Sequence, residues 1–335
     1  MRPPLNTFYS NTFHSQDFYP GNSSTTALVP LLMRWIMHLN GSRLDITTDQ
    51  LVQTLPDLNY RLLRIAVEPI LWAMKAAAWL PNGVQERTRP NKNIGKNIDA
   101  STEITLASVL YDRTLFFDQA LIAALNSAEQ IVILGAGFDT RLFKFCLDRE
   151  IALFEVDQVE TQLVKKQALA KSKIDCEKVI FVAVDFANES WMQALTSSGF
   201  ELGKRTFFLW EGVTYYLTEP AVKSAFSLMA QASSEGSTVA FDFFSESLVK
   251  GESVIGPMAA IFDWTGEPLQ FGVSGGTNKG MNKEETRKAI EALMAETGFV
   301  LSKLRVVSDR IAGSCRPVSA GMLGGLAIAQ VKSHR

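Results

Sequence analysis

Short apolar runs alternate with longer amphipathic stretches through the second half of the chain. Residues 131–134, 151–156, 179–184, 206–210 and 238–244 are nearly unbroken apolar segments, the pattern of strands covered on both faces of a parallel sheet. The spacing predicts helices over 159–171 and 219–233 between them. Strand–helix alternation implies right-handed βαβ units, with helices on both faces of the sheet. A helix over 283–297 follows, then strands over 299–307 and 326–331 with no helix between them. Two such strands predict an antiparallel hairpin at the sheet edge, and seven strands in all.

The first hundred residues read differently. Residues 1–20 are polar and aromatic and suit an arm or a flap. Ser23, Ser24, Thr25 and Thr26 can cap a helix over 28–39; His38 on it reads as a solvated or packed histidine. Residues 62–80 form the most apolar long segment, but Glu68, Pro69 and Lys75 interrupt it. It falls short of the ~20 apolar residues of a membrane span and predicts a buried or lid-forming helical hairpin. Residues 81–100 read as a loop and 104–125 as a helix, while the Gly-rich 245–282 is too long for an ordinary connection. The expected division is an N-terminal helical arm and lid over 1–104 and a catalytic domain over 105–335, with 245–282 as a lid insertion.

Composition narrows the class. The 335 residues are 47% hydrophobic and 20% charged, with 33 Lys+Arg against 35 Asp+Glu and a net charge of -2. That balance, without a basic run interleaved with aromatics, points away from nucleic acid. Cys146, Cys176 and Cys315 are scattered, which argues against a disulfide framework or a zinc site and fits a reducing compartment. The N-terminus lacks an apolar signal core. A cytoplasmic protein without a metal is the expectation.

Chemistry gathers where the apolar runs end. QIVILGAGFDTR, residues 130–141, reads as a strand entering a Gly135-Ala136-Gly137 turn and then a helix. Such glycines let the backbone approach a ligand, and a helix N-terminus beyond them offers N–H groups. Position 140, where a dinucleotide turn wants a third glycine, is Thr140. The next strand ends in Glu155 and Asp157, about twenty residues on, the distance at which a carboxylate meets a ribose. Either acid could serve; Asp157 lies nearer the end and is preferred. Asp185 can accept from an exocyclic amine, Phe186 can flank a base, and Glu211 can meet an amino group. Acids at three strand ends suit a ligand with ribose, adenine and ammonium but no pyrophosphate, which they would repel. S-adenosylmethionine has those groups. A nicotinamide cofactor does not suit them.

LGAGFDTR, FEVDQVETQLVKK, VAVDF with Trp191 beyond it, and LWEGVTYYL together resemble the leucine carboxyl methyltransferase family, class I S-adenosylmethionine-dependent O-methyltransferases. YDRTLFFD at 111–118 and GEPLQFGV at 266–273 resemble two further family elements. The resemblance covers about 105–330; the first hundred residues depart from it, with a long insertion around 40–100. It implies an α/β, Rossmann-like, seven-stranded, mostly parallel sheet beneath an N-terminal helical lid. It also implies that Arg113 binds the cofactor's carboxylate, Gly135 and Gly137 admit its methionine moiety, Asp157 holds the ribose, Asp185 and Phe186 meet the adenine, and Glu211 takes the amino group.

A carboxylate acceptor is already ionised and needs no general base, whereas a hydroxyl needs one. His14, His38 and His334 do not neighbour the strand ends in sequence. That tilts the expected acceptor toward a carboxylate or an acidic hydroxyl of a small metabolite, apolar because Trp35, Trp72 and Trp79 populate the N-terminal part. Tyr215, Tyr216 and Asp242 are candidate orienting groups, with packing roles as the alternative. Two rival functions remain at this stage: a protein C-terminal carboxyl methyltransferase, and a cofactor-binding regulatory protein without catalysis.

Overall fold

A computed structural model describes residues 27–56, 61, 106–184, 190–251, 268–274, 283–308 and 322–332. In chain order its helices are α1 (Leu28–Leu39), α2 (Ile46–Thr54), α3 (Leu106–Ala124), α4 (Arg141–Phe145), α5 (Val159–Ser172), α6 (Trp191–Ser197), α7 (Glu219–Ala232), α8 (Glu246–Val249) and α9 (Lys283–Glu296). The strands are β1 (Gln130–Leu134), β2 (Ala152–Asp157), β3 (Val179–Ala183), β4 (Thr206–Trp210), β5 (Thr238–Phe244), β6 (Phe299–Ser308) and β7 (Met322–Val331). They form one sheet in the order β3-β2-β1-β4-β5-β7-β6. The first five pair in parallel, and β7 runs antiparallel to both neighbours. The predicted antiparallel pair is present at the sheet edge: the later strand, β7, lies inside and β6 is outermost.

The parallel strands bury both faces because their side chains alternate between two apolar cores. Val132, Leu134, Phe154, Phe208, Trp210 and Phe241 face one way, against Trp191 of α6, Phe226 of α7 and Ile290 of α9. Ile131, Ile133, Leu153, Phe207 and Leu209 face the other, against Phe117 of α3, Leu142 of α4 and Leu169 of α5. Leu31 and Trp35 of α1 and Leu51 of α2 belong to this second core. Trp35 is thus a core residue, its indole N–H donating to Asp49 at 2.9 Å.

The pattern did not predict α2, whose ITTDQLVQT is only weakly apolar. It starts because Asp45 accepts the Thr48 N–H at 3.0 Å, satisfying a free donor of the first turn. His38 Nδ1 accepts the Asp45 N–H at 3.1 Å, so this histidine is packed, as one of its two readings had it. Residues 62–105, with the expected hairpin and loop, lie outside the described residues, as do 1–26. Of the expected lid insertion, α8 and residues 268–274 are described; Val273 N–H donates to Phe244 O at 2.9 Å. Among the described residues no helix is long and apolar enough to cross a membrane.

Candidate functional site

The chain leaves β1 toward β2 on one side and β4 toward β5 on the other, so the sheet reverses between β1 and β4. Ligands of open α/β sheets bind outside the carboxyl ends at such a point. Gly135 (φ +63°) and Gly137 (φ +46°) occupy the left-handed region there, which glycine adopts without a Cβ penalty. A Cβ on Gly135 would lie 2.3 Å from Cγ2 of Val213 in the loop after β4, so the two loops abut. Gly135 and Ala136 N–H both donate to Val156 O, at 2.8 and 3.1 Å.

Asp157 completes this turn. Its Oδ2 accepts the Gly137 N–H and its Oδ1 the Gln158 N–H at 2.6 Å. Glu155, the rival choice, is buried against Lys165 Nζ at 2.5 Å. Burial pushes the Glu155 carboxyl up to about 7, with Lys165 opposing. The ion pair occupies Glu155 and leaves Asp157 the carboxylate of the turn.

The helix after the turn offers less than its sequence suggested. It is only five residues long, and its first N–H, that of Arg141, donates to Asp139 Oδ1 at 2.7 Å. The Arg141 side chain instead anchors a buried ionic chain. Its Nε lies 2.8 Å from Asp118 Oδ1, and its Nη1 meets Asp139 and, at 2.6 Å, Glu211 Oε2. Arg113 reaches Glu211 and Asp242 at 3.0 Å each. Arg43 meets Asp118 at 2.6 Å and also Asp45, while Arg34 lies 3.5 Å from Asp139 and donates to Phe138 O at 3.0 Å. Arg34, Arg43, Arg113 and Arg141 thus meet Asp45, Asp118, Asp139, Glu211 and Asp242.

Burial opposes ionisation of Glu211, but Arg141 and then Arg113 and Arg34 overcome it and hold the carboxyl below its usual range. Burial likewise opposes charge on Asp139, which Arg141 and Arg34 hold well below that range. Asp242 goes the other way: burial pushes it up to about 6, only partly offset by Arg113 and by the Gly212 N–H at 2.7 Å. Burial also opposes charge on Arg113, yet Glu211 and Asp242 hold its pKa above the ordinary value. The Arg113–Glu211 contact is an ion pair without hydrogen-bond geometry, so Glu211 Oε1 remains a buried acceptor with no donor among the described residues. Arg34 Nε and Arg141 Nη2 are buried donors with no acceptor among the described residues.

Of the residues singled out in the sequence, Arg113, Gly135, Gly137, Asp157 and Glu211 come together at this end of the sheet. Arg113 is already engaged by two carboxylates. Asp185 and Phe186 lie outside the described residues. Tyr215 is buried and stacked on Phe244, ring centroids 4.0 Å apart, with Tyr216 edge-on at 4.7 Å. Burial pushes the Tyr215 hydroxyl well above its ordinary pKa. Asp242 pins the loop after β4 through Gly212 N–H and, by its carbonyl, through the Thr214 hydroxyl at 2.6 Å. Sequence reasoning missed Arg34, Arg43, Asp118, Asp139 and Arg141. The last two stand in the GFDTR run, where a charged pair directly after the glycines was the available signal.

Among the described residues no cluster of His, Cys, Asp and Glu could hold a metal ion. A shallow depression lined by Arg149, Glu150, Ile151, Ala152 and Lys178 lies at the amino end of β2, away from this chemistry.

Residues 65–230 match the model of the leucine carboxyl methyltransferase family. The match starts before the resemblance noted in the sequence and stops short of the last three strands. A Parafrankia sp. protein provisionally named an S-adenosyl-L-methionine-dependent methyltransferase is 29% identical over 213 residues, 59% of this chain and 68% of its own length. Proteins named in the same way from Bacillus subtilis and Rhodococcus jostii are 31% and 34% identical, over 56% and 43% of this chain and 66% and 49% of theirs. The chain thus spans between about half and two thirds of these relatives. A magnesium protoporphyrin IX methyltransferase from Synechocystis is 12% identical, with a TM-score of 0.41 over 78% of this chain and all of that one; the fold assignment rests on the strand order itself. By its matched segment and these relatives, about half of the chain is similar to the leucine carboxyl methyltransferase family and to proteins named as S-adenosyl-L-methionine-dependent methyltransferases.

Proposed function

We propose that the protein methylates a carboxylate or acidic hydroxyl of a small, apolar metabolite, and that the carboxyl ends of β1, β2 and β4 hold its cofactor. The observation that carries the cofactor site is Glu211 Oε1, a buried acceptor without a donor among the described residues at the switch point. A primary ammonium fits such an atom, because the desolvated carboxylate gains a charge-assisted hydrogen bond. Asp157, held at the glycine turn, suits two ribose hydroxyls. Gly135 and Gly137 would let the methionine moiety pass along the turn, their Cβ directions themselves being filled by Val213 and Ala27. Arg113 would take the cofactor's carboxylate by sharing it with Glu211 and Asp242, and Asp185 and Phe186 would meet the adenine.

S-adenosylmethionine supplies an electrophilic methyl group on a sulfonium. The protein's part is to align the acceptor in line with that methyl and exclude water, which supplies much of the rate. Tyr215, stacked, buried and held in its protonated form, suits the wall of an acceptor site better than a base. The described carboxylates nearby are engaged by arginines. An acceptor that arrives ionised suits this arrangement. In the proposed organisation residues 1–104 form the arm and lid, 105–335 the methyltransferase domain and 245–282 a lid insertion, in a cytoplasmic enzyme whose partner is the small acceptor.

Calorimetric titration with S-adenosylhomocysteine, with NAD as control, tests the cofactor site; binding of the first alone is expected. The acceptor is tested with S-adenosylmethionine labelled in its methyl group and panels of small carboxylic acids and phenols. A methyl ester releases volatile label in mild base and an aryl ether does not. Transfer only to peptide C-termini would overturn the small-metabolite reading.

A further inference from the structure

The α1–α2 pair lies outside the segment matched by the family model, yet it follows the glycine turn residue by residue. A Cβ on Gly137 would stand 3.0 Å from the Cβ of Ala27, which precedes α1. Arg34 Nη2 donates to Phe138 O at 3.0 Å, and Nη1 lies 3.5 Å from Asp139 Oδ2. Thr48 and Thr140 hydroxyls lie 2.8 Å apart, and Leu44 O accepts from Lys144 Nζ. Four successive residues after Ala136 are thereby touched from one hairpin.

Arg34 is the informative member. It is 1% exposed, its one direct ion pair among the described residues, to Asp139, is long at 3.5 Å, Glu211 acts on it only from farther off, and its Nε has no acceptor among them. A buried cation so weakly paired gains little stability for the fold, since desolvation offsets the attraction. It does fix geometry. Phe138 directly follows Gly137, whose N–H meets Asp157; the bond to Phe138 O fixes the peptide between Phe138 and Asp139, two units along the turn from the one that makes that contact. We infer that Arg34 is a positioning residue of the cofactor turn, through which α1 sets the conformation of residues 137–140 and thereby the affinity for cofactor. This rests on the cofactor site proposed above.

The test measures S-adenosylhomocysteine affinity by calorimetry, alongside the thermal midpoint without ligand, for wild type, Arg34→Ala, Arg34→Lys, Thr48→Val and Leu31→Ala. Leu31 is fully buried in the same helix and belongs to the apolar core. Arg34→Ala should weaken binding roughly tenfold or more, the effect of losing a charge-assisted bond, and Arg34→Lys should recover most of it. Leu31→Ala should lower the midpoint through its cavity and leave affinity within about twofold, because it removes apolar packing and no polar bond to the turn. An Arg34→Ala affinity within that range, or an equal loss in Leu31→Ala, would overturn the inference. If Arg34→Ala does not fold, Thr48→Val decides: severalfold weaker binding supports it and unchanged binding overturns it. Failure of the wild type itself to bind would overturn the cofactor site, and this inference with it.

Discussion

The two ends of the sheet handle charge in opposite ways. At the amino ends, Lys178–Glu150 and Arg149–Asp148 are exposed pairs at 4.0 and 3.8 Å, screened by water and contributing little. At the carboxyl ends, Arg141, Arg113 and their carboxylate partners are 10% exposed or less. Buried ion pairs barely repay their desolvation, so such a cluster is not explained by stability. The amino end tolerates change. The carboxyl end is a set of mutually dependent charges, held where a cationic cofactor is proposed to sit.

Removing one member should break the dependence most visibly. Arg141→Ala leaves Asp118, Asp139 and Glu211 without their shared cation and should cost about 3–5 kcal/mol in urea unfolding; a loss below about 1 kcal/mol would show that the charges are independent. The next effect depends on pH. The Asp242 carboxyl is raised to about 6 in the fold, so its stabilising contribution is full below about pH 4 and is lost as pH climbs through 6. Asp242→Asn removes that titration. The stability of the variant relative to wild type should therefore rise, on the order of 2 kcal/mol between pH 4 and 7. A flat difference would mean that Asp242 does not titrate as its burial demands.

Binding sharpens the comparison further. Asp157→Ala should weaken S-adenosylhomocysteine by roughly 1–3 kcal/mol in calorimetry, and an unchanged affinity would remove it from the site. Arg113→Ala should weaken S-adenosylmethionine more than adenosine, which lacks a carboxylate; equal losses would end its assignment. At the other end, Lys178→Ala should leave both the unfolding midpoint and cofactor affinity as they are. A shift in either would erase the contrast between the ends.

The parallel sheet was legible because each strand is a compact apolar run between polar breaks, as in TFFLW at β4. β7 was read as starting at 326, although it begins at Met322. Gly324 and Gly325 in that extension carry no apolar side chain, yet a Cβ on either would strike Phe243. Close approach, rather than β propensity, admits them. Helix α6 was missed because its signal is short: a Ser190 cap before seven residues. In the site, the glycines and Asp157 were legible because a strand–turn–strand motif spaces them locally. Arg34 and Asp139 lie 105 residues apart, and no local pattern joins them. Arg141 stood inside the motif, but the identity of its partners required the fold.

The inner position of β7 also has a consequence in time. β6 hydrogen-bonds to no strand other than β7 among the described residues, and the far edge of β5 is closed by β7 as well. A ribosome adding 5–20 residues per second finishes β7 on the order of 5–15 s after β5. Through that interval the nascent sheet carries an open β5 edge, with apolar Val239 and Phe241 beside it, and an edge of this kind invites pairing with other chains. The last of the seven strands to be made is the one that closes the β5 edge, so the rate of synthesis and early shielding by chaperones should affect the yield of folded protein.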